Sequence, residues 1–338
     1  MDRIWAAFIV VVLAGGVLIH ADDVAGCRPA EVPVTVVLSD GRPVLNLSPN
    51  GFVAKSGGKT VNIRGVESVS DPRRIGIVLD DSRDLKDEAW SAVQVALQRI
   101  LGQARKEDAF ALITAHGYDA RLRFGSAPQT IEQQFQEITA KRKTANNTGP
   151  SVFDAIAEMA TWFGTGQPGD AILVLASNED DMQRRHGKTG FDKLSELLTE
   201  HSIRVFGIQF GMVLAGEMYW SGPLFGGARN QIRTSGVDVN REHLGFLSQA
   251  TGGFLHVEVT DDPQHEYRLT DPVRSNLEQA AWRIYESIVQ YYELQIDSSP
   301  TELDHKLVID LAPQYRAKLP KAVAFYPRSS IHCANTSN

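Results

Sequence analysis

Cysteine is nearly absent from the 338 residues: only Cys27 and Cys333 occur, close to opposite ends of the chain. With no Cys-x-x-Cys pair and no Cys/His cluster, a structural zinc site is not expected. A basic patch is missing as well. The net charge is -7 and the Lys and Arg residues are dispersed, which argues against nucleic-acid binding. The pairs Arg73-Arg74 and Arg184-Arg185 read as solvated surface. The chain has no internal repeat and no low-complexity tract. The common catalytic signatures are missing too: there is no Gly-x-Ser-x-Gly, no His-Glu-x-x-His and no Gly-x-Gly-x-x-Gly. Gly58-Lys59-Thr60 echoes the end of a phosphate loop. However, Val53 stands where that loop needs its first glycine, and the stretch reads as a turn between strands. The nine histidines are scattered, and His116 reads as a polar loop residue at a strand end. No recognisable nucleophile and base set remains, so the chain is expected not to be an enzyme.

The amino terminus carries the pattern of a secretory signal over residues 1–25. Arg3 gives a positive start, Ile4 to Ile19 is apolar, and the small residues Ala21 and Ala25 follow. The mature protein is therefore expected outside the cytoplasm, secreted or periplasmic. A membrane link would come only from a retained signal or from a lipid on Cys27, which closes the sequence Val24-Ala25-Gly26-Cys27. Export permits a disulfide between Cys27 and Cys333 and equally permits two free thiols.

Over the whole chain 43% of residues are hydrophobic and 22% charged, an ordinary globular balance. Residues 30–70 form a β-rich flank in which Val32–Leu38, Val44–Leu47, Gly51–Val53 and Val61–Val66 read as short strands between turns. From residue 73 to 290 the texture alternates strand and helix. Ile75–Leu79 is a continuously apolar run, as in a parallel strand buried on both faces. Ala89, Val93, Leu97 and Ile100 then form one apolar helical stripe. Later strands are expected at Phe110–Thr114, Ala120–Phe124, Ile172–Leu175, Val205–Phe210 and Phe254–Val259. Helices are expected at 131–140, 152–163, 191–201, 243–250 and 272–289. Residues 291–328 return to strands. This order predicts an α/β fold, a doubly wound and mostly parallel sheet. The two β-rich flanks are expected to pair into a small sandwich-like subdomain.

In open α/β sheets, ligands bind outside the carboxyl ends of the strands. There the sequence offers Asp80-Asp81-Ser82-Arg83-Asp84, whose alternating carboxylate and hydroxyl oxygens suit a hard cation such as Mg²⁺. The bland alternative is a solvated loop in which Ser82 or Asp84 caps the next helix.

Several segments, taken in order, resemble the von Willebrand factor type A domain, in its bacterial exported form. They are Val36–Asp40-Gly41 at the head, Ile75–Leu79 running into Asp80-Asp81-Ser82, Ser151-Val152-Phe153-Asp154, Leu173–Asn178 and Thr251-Gly252-Gly253. The resemblance implies a Rossmann-like domain with a metal-ion-dependent adhesion site, at which a partner's carboxylate completes the coordination of Mg²⁺. Asp80 and Ser82 match the first metal loop, and Asp84 replaces its second serine. Pro150 stands where the second loop has threonine, with Thr148 and Ser151 close by. Asn178 replaces the aspartate of the third. The resemblance thus implies a degenerate site of Asp80, Ser82, Asp84 and Asn178 that holds Mg²⁺ weakly or not at all.

A long Gly-rich insertion between Gly211 and Asn240 follows a core strand, so it emerges at the same end. Tyr219, Trp220 and Phe225 within it are the expected anchors for a protein ligand. The leading expectation is an extracytoplasmic protein-binding module. The alternatives are a structural envelope component with an inert site and a metal-assisted hydrolase.

Overall fold

The computed structural model describes residues 30–70, 73–82, 85–144, 150–177, 189–212, 244–260, 267–297 and 307–327. The segment 1–25, Cys27, Cys333, Asp84, Thr148, Asn178, Arg184, Arg185, Tyr219, Trp220 and Phe225 lie outside the described residues.

The head of the chain supplies β1 (Ala30–Val37), β2 (Phe52–Ser56), β3 (Lys59–Val61) and β4 (Ile63–Val69). The α/β part follows with β5 (Arg74–Asp80), α1 (Asp87–Leu101), β6 (Ala109–Ala115), β7 (Arg121–Ser126), α2 (Pro128–Lys141), α3 (Val152–Trp162) and β8 (Ala171–Ser177). It continues with α4 (Phe191–Glu200), β9 (Arg204–Met212), α5 (Leu244–Ala250), β10 (Leu255–Thr260) and α6 (Asp271–Val289). The tail adds β11 (Tyr291–Ile296), β12 (Leu307–Leu311), α7 (Pro313–Lys318) and β13 (Val323–Phe325).

Six strands form one sheet in the order β10-β9-β8-β5-β6-β7. All neighbours are parallel except the edge pair β6 and β7. The apolar strand runs explain this directly, because their alternate side chains enter two different cores. Ile75, Ile77 and Leu79 of β5 join the layer of α1, α2 and α6, whereas Val78 faces α3 and α4. β8 divides the same way, with Leu173 and Leu175 on one side and Ile172 and Val174 on the other. The sheet is therefore doubly wound, with both faces covered by helices.

The flanks build two antiparallel sheets, β13-β1-β11-β4 and β12-β2-β3. Val32, Val34, Phe52, Ala54, Tyr292, Leu294, Ile309 and Leu311 from both sheets bury one shared core. This is the sandwich-like subdomain expected from the composition. Lys59 and Thr60 open β3 just after a turn in which Gly57 and Gly58 both have positive φ, so no phosphate loop forms.

Three local expectations need correction. Val44–Leu47 is not a strand: the backbone turns at Asn46, at φ +65°, and is pinned by the Tyr292 hydroxyl, which donates to the Val44 carbonyl at 2.8 Å and accepts from the Leu47 N–H at 2.9 Å. The short α7 was not foreseen, because six residues starting at Pro313 carry no apolar period. The third correction concerns Arg73 and Arg74, which are not solvated surface. Arg73 is only 6% exposed, and Arg74 grips Asp170 through Nε at 2.9 Å and Nη2 at 2.5 Å.

Both arginines belong to the amino-end edge of the large sheet, where the sandwich docks. Arg204, which opens β9, is fully buried. Its Nη1 donates to Thr35 Oγ1 of β1 at 2.9 Å, and its Nη2 to the Ile288 carbonyl at 2.8 Å. The Tyr291 ring lies 4.2 Å from the Arg204 guanidinium and 4.9 Å from that of Arg73. Burial lowers the pKa of Arg204 to about 10, with the Tyr291 hydroxyl and Asp170 opposing that shift and Arg73 adding to it. Thr251-Gly252-Gly253 closes the same edge. Thr251 Oγ1 accepts from the Val205 N–H at 3.0 Å, Thr251 forms a β-bridge with Pro327, and Gly252 turns at φ +87°. These connections leave the carboxyl ends of the strands as the edge away from the sandwich.

Candidate functional site

β5 is the first strand of the large sheet. The chain moves from it outward to β6 and β7, then returns to lay β8, β9 and β10 on its other side. The connections therefore diverge between β5 and β8, and a crevice opens outside the carboxyl ends of these two strands. Asp80 ends β5 and Ser177 ends β8, with Leu79 and Leu175 paired just before them. Asn178 is the residue after Ser177. The third loop is brought in by a main-chain bond: the His116 N–H, just past β6, donates to the Pro150 carbonyl at 3.0 Å. His116 has φ +73°, a backbone conformation that costs a non-glycine residue energy and is tolerated where surroundings enforce it.

Asp80 is buried, and its Oδ1 accepts from the Ser82 N–H at 3.0 Å, which folds the chain back at the strand end. The residue at the N-cap of α1 is Lys86, so Ser82 does not cap that helix. Pro150 offers no side-chain oxygen, and its carbonyl is engaged by His116. The Ser151 hydroxyl caps α3 by accepting from the Asp154 N–H at 3.1 Å, and Asp154 Oδ1 accepts from the Thr189 N–H at 2.9 Å.

For Mg²⁺, the described oxygen donors in this crevice are thus the Asp80 carboxylate and the Ser82 hydroxyl. No group of three acidic, histidine or cysteine side chains suited to a metal occurs among the described residues. Mg²⁺ keeps several waters and is often held by one or two carboxylates, so these two donors could supply only part of its shell.

Two residues of this edge escaped the sequence reading. The first is Asp81. Its Oδ1 accepts from the Gly117 N–H at 2.9 Å and its Oδ2 from the Tyr118 N–H, which ties the end of β5 to the β6–β7 turn. A Cβ on Gly117 would overlap this carboxylate, lying 2.7 Å from its Cγ. Burial raises the Asp81 pKa to about 6; the Gly117 and Tyr118 amides oppose the shift and the charge of Asp80 adds to it.

The second is Arg142, at the carboxyl end of α2 and only 3% exposed. Its Nη2 donates to the Ser82 carbonyl at 2.7 Å and to the Leu85 carbonyl, and its guanidinium lies 4.6 Å from the Trp90 ring centroid. Burial lowers the Arg142 pKa, against the charges of Asp87, Asp81 and Asp80. Neither residue had a distinguishing neighbour in the sequence. Asp81 reads as one more loop acid, and Arg142 as one of three consecutive cations at a helix end.

The edge therefore belongs to a doubly wound α/β domain in which the loop after β5 is tied to the end of β6, which also holds Pro150. No family model matches the chain, and no curated protein matches it in sequence. Among solved structures, the chain is similar to an aerotolerance-related membrane protein from Bacteroides fragilis. That match has 14% identity over 64% of this chain and 98% of the other, with a TM-score of 0.41. It is similar to BatB from Bacteroides thetaiotaomicron at 13% identity over 64% of this chain and 100% of that one, TM-score 0.39. It is also similar to a von Willebrand factor type A protein from Catenulispora acidiphila at 11% identity, covering 78% and 51% of the two chains, TM-score 0.37. The fold assignment itself rests on the strand order and the two helix layers.

Proposed function

We propose that the chain is a non-catalytic, extracytoplasmic binding module that captures a protein ligand at the carboxyl-end edge of its large sheet. In this reading the adhesion-type metal site is degenerate, and Mg²⁺ contributes weakly or not at all. The observation that carries the proposal is that the end of β6 holds both loops at the edge away from the sandwich, the Asp81 N–H donating to the Ala115 carbonyl at 3.2 Å and the His116 N–H to that of Pro150 at 3.0 Å. The main-chain bond from His116 to Pro150 and the positive φ of His116 support it, because such geometry is kept where loops are held for a task. The stretch after β9, which ends at Met212, follows the strand at this edge in sequence, which favours Tyr219, Trp220 and Phe225 as contacts for the partner. The export pattern of residues 1–25 supports the location. No helix among the described residues is long and apolar enough to cross a membrane.

The test is in-cell crosslinking of the full chain. Asp80→Ala and a deletion of residues 213–240 are expected to lose the partner that wild type captures, whereas Glu293→Gln in the sandwich keeps it. An unchanged crosslinking pattern after the deletion would sink the proposed edge. Calorimetric titration with Mg²⁺ is expected to show millimolar binding or none; micromolar binding would mean that Asp84 restores the site. Hydrolytic turnover that Asp80→Ala abolishes would transfer the residue to catalysis.

A further inference from the structure

We infer that Arg142 is a positioning residue, a built-in cation that fixes Ser82 and Leu85, the two ends of the loop after β5, without a divalent ion. That the loop presents ligand rests on the function proposed above; the clamp itself rests on the bonds of Arg142 to the Ser82 and Leu85 carbonyls and on its contact with Trp90. A metal ion would gather this loop by side-chain oxygens. Arg142 gathers it from the core side by main-chain oxygens, because one guanidinium binds the carbonyls of Ser82 and Leu85 on either side of residues 83 and 84. The two N–H bonds of Nη2 serve the two acceptors, and the charge is offset by Asp80, Asp81 and Asp87 nearby.

The guanidinium is itself held. It lies over Trp90, which stacks on Phe135 at 4.8 Å and 6° and donates from Nε1 to Thr139 Oγ1 at 2.9 Å. Its sequence neighbours secure the adjoining elements. Lys141 Nζ donates to the Tyr118 hydroxyl at 3.0 Å on the β6–β7 turn, and Lys143 Nζ to Asp87 Oδ2 at 2.8 Å on α1. The carboxyl end of α2, where the helix dipole favours cations, thus joins the two loops that Asp81 joins from the other side.

Amide hydrogen exchange on the full chain tests this at Asp81, Ser82, Gly117 and Tyr118, whose N–H groups all have bonded acceptors. In wild type, protection at these amides is expected to agree within about twofold in EDTA and in millimolar Mg²⁺. Arg142→Met is expected to speed their exchange by about tenfold or more, while the amides of Val205 and Gly253 at the opposite edge stay unchanged. Arg142→Lys is expected to restore part of the protection, and ethylguanidinium to restore it in Arg142→Ala. Protection that appears only with Mg²⁺, or that survives Arg142→Met, would overturn the inference. If Arg142→Met does not fold, Arg142→Lys decides: loss confined to the four amides supports the clamp, and uniform loss at both edges overturns it. Intact crosslinking in a variant that has lost this protection would instead count against the binding edge, so the two readings fail separately.

Discussion

At the amino ends of the large sheet, buried arginines reach across to the sandwich; at the carboxyl ends, buried acids and one arginine hold only short loops. Arg204 ties β9 to β1 and to the end of α6, and Arg74 pairs with Asp170. Asp108 accepts from the Arg73 N–H at 2.9 Å and from the Tyr285 hydroxyl at 2.6 Å. These contacts join segments far apart in sequence, and the one from Arg204 to Thr35 ties the large sheet to the sandwich. The opposite edge places Asp80 and Asp81 side by side, an arrangement that works against stability because each charge disfavours its neighbour. One edge is built for cohesion, and the other retains charge that folding alone would remove. This is the contrast expected when binding residues are selected for something besides stability.

Substitutions can break this contrast, and the largest effect is expected at Arg204. Arg204→Met removes the buried charge but strands the Thr35 hydroxyl and the Ile288 carbonyl. Urea unfolding is expected to show a loss of about 3–5 kcal/mol. A loss below about 1 kcal/mol would mean that the sandwich is not anchored there. Gly117→Ala comes next, since the new Cβ overlaps the Asp81 carboxylate and must displace it from two amides. A loss of about 2–3 kcal/mol is expected in the same measurement, with local exchange at Tyr118 raised.

A smaller effect separates the edges by pH. Glu293 is pushed up to about 7 by partial burial, by the charge and hydrogen bond of Glu31 and by the charge of Glu67 across the strand, against Arg73. Its folded pKa lies above the unfolded value, so the folded state holds the extra proton. The stability it contributes is full below about pH 4.5 and is lost as pH rises through 7. Glu293→Gln is therefore expected to raise stability by about 1–2 kcal/mol at pH 8 and to change little at pH 4, allowing for its partial exposure. A pH-independent difference would remove Glu293 as the cause. The smallest change in stability is expected for Asp80→Asn, within about 0.5 kcal/mol of wild type, because asparagine keeps an acceptor for the Ser82 N–H and relieves Asp81. A crosslinking loss without a stability loss would sharpen the contrast. A loss of several kcal/mol would place Asp80 with the cohesive residues instead.

Much of this architecture was legible from the residue pattern. The run Ile75–Leu79 announces a strand buried on both faces, and Ala89, Val93, Leu97 and Ile100 do cover one side of the sheet. The loop after β5 could be placed at the ligand edge because parallel sheets put such loops there. The misreadings have a shared cause. Arg73, Arg74, Arg142 and Arg204 look in sequence like any solvated cation, since burial of a charge depends on partners that local periodicity does not reveal. Val44–Leu47 has strand composition, but its backbone is claimed by Tyr292 from the other end of the chain.

The sequence by itself determined the alternation of elements, the apolar faces they bury, and the chemistry available at Asp80, Ser82 and Pro150. Each of these follows from side-chain type and short-range spacing. Tertiary structure alone decided which edge the sandwich covers, which acid binds backbone amides and which arginine sits under the loop. Those outcomes depend on contacts between residues such as Thr35 and Arg204, or Ser82 and Arg142, which only the closed fold brings within hydrogen-bond reach.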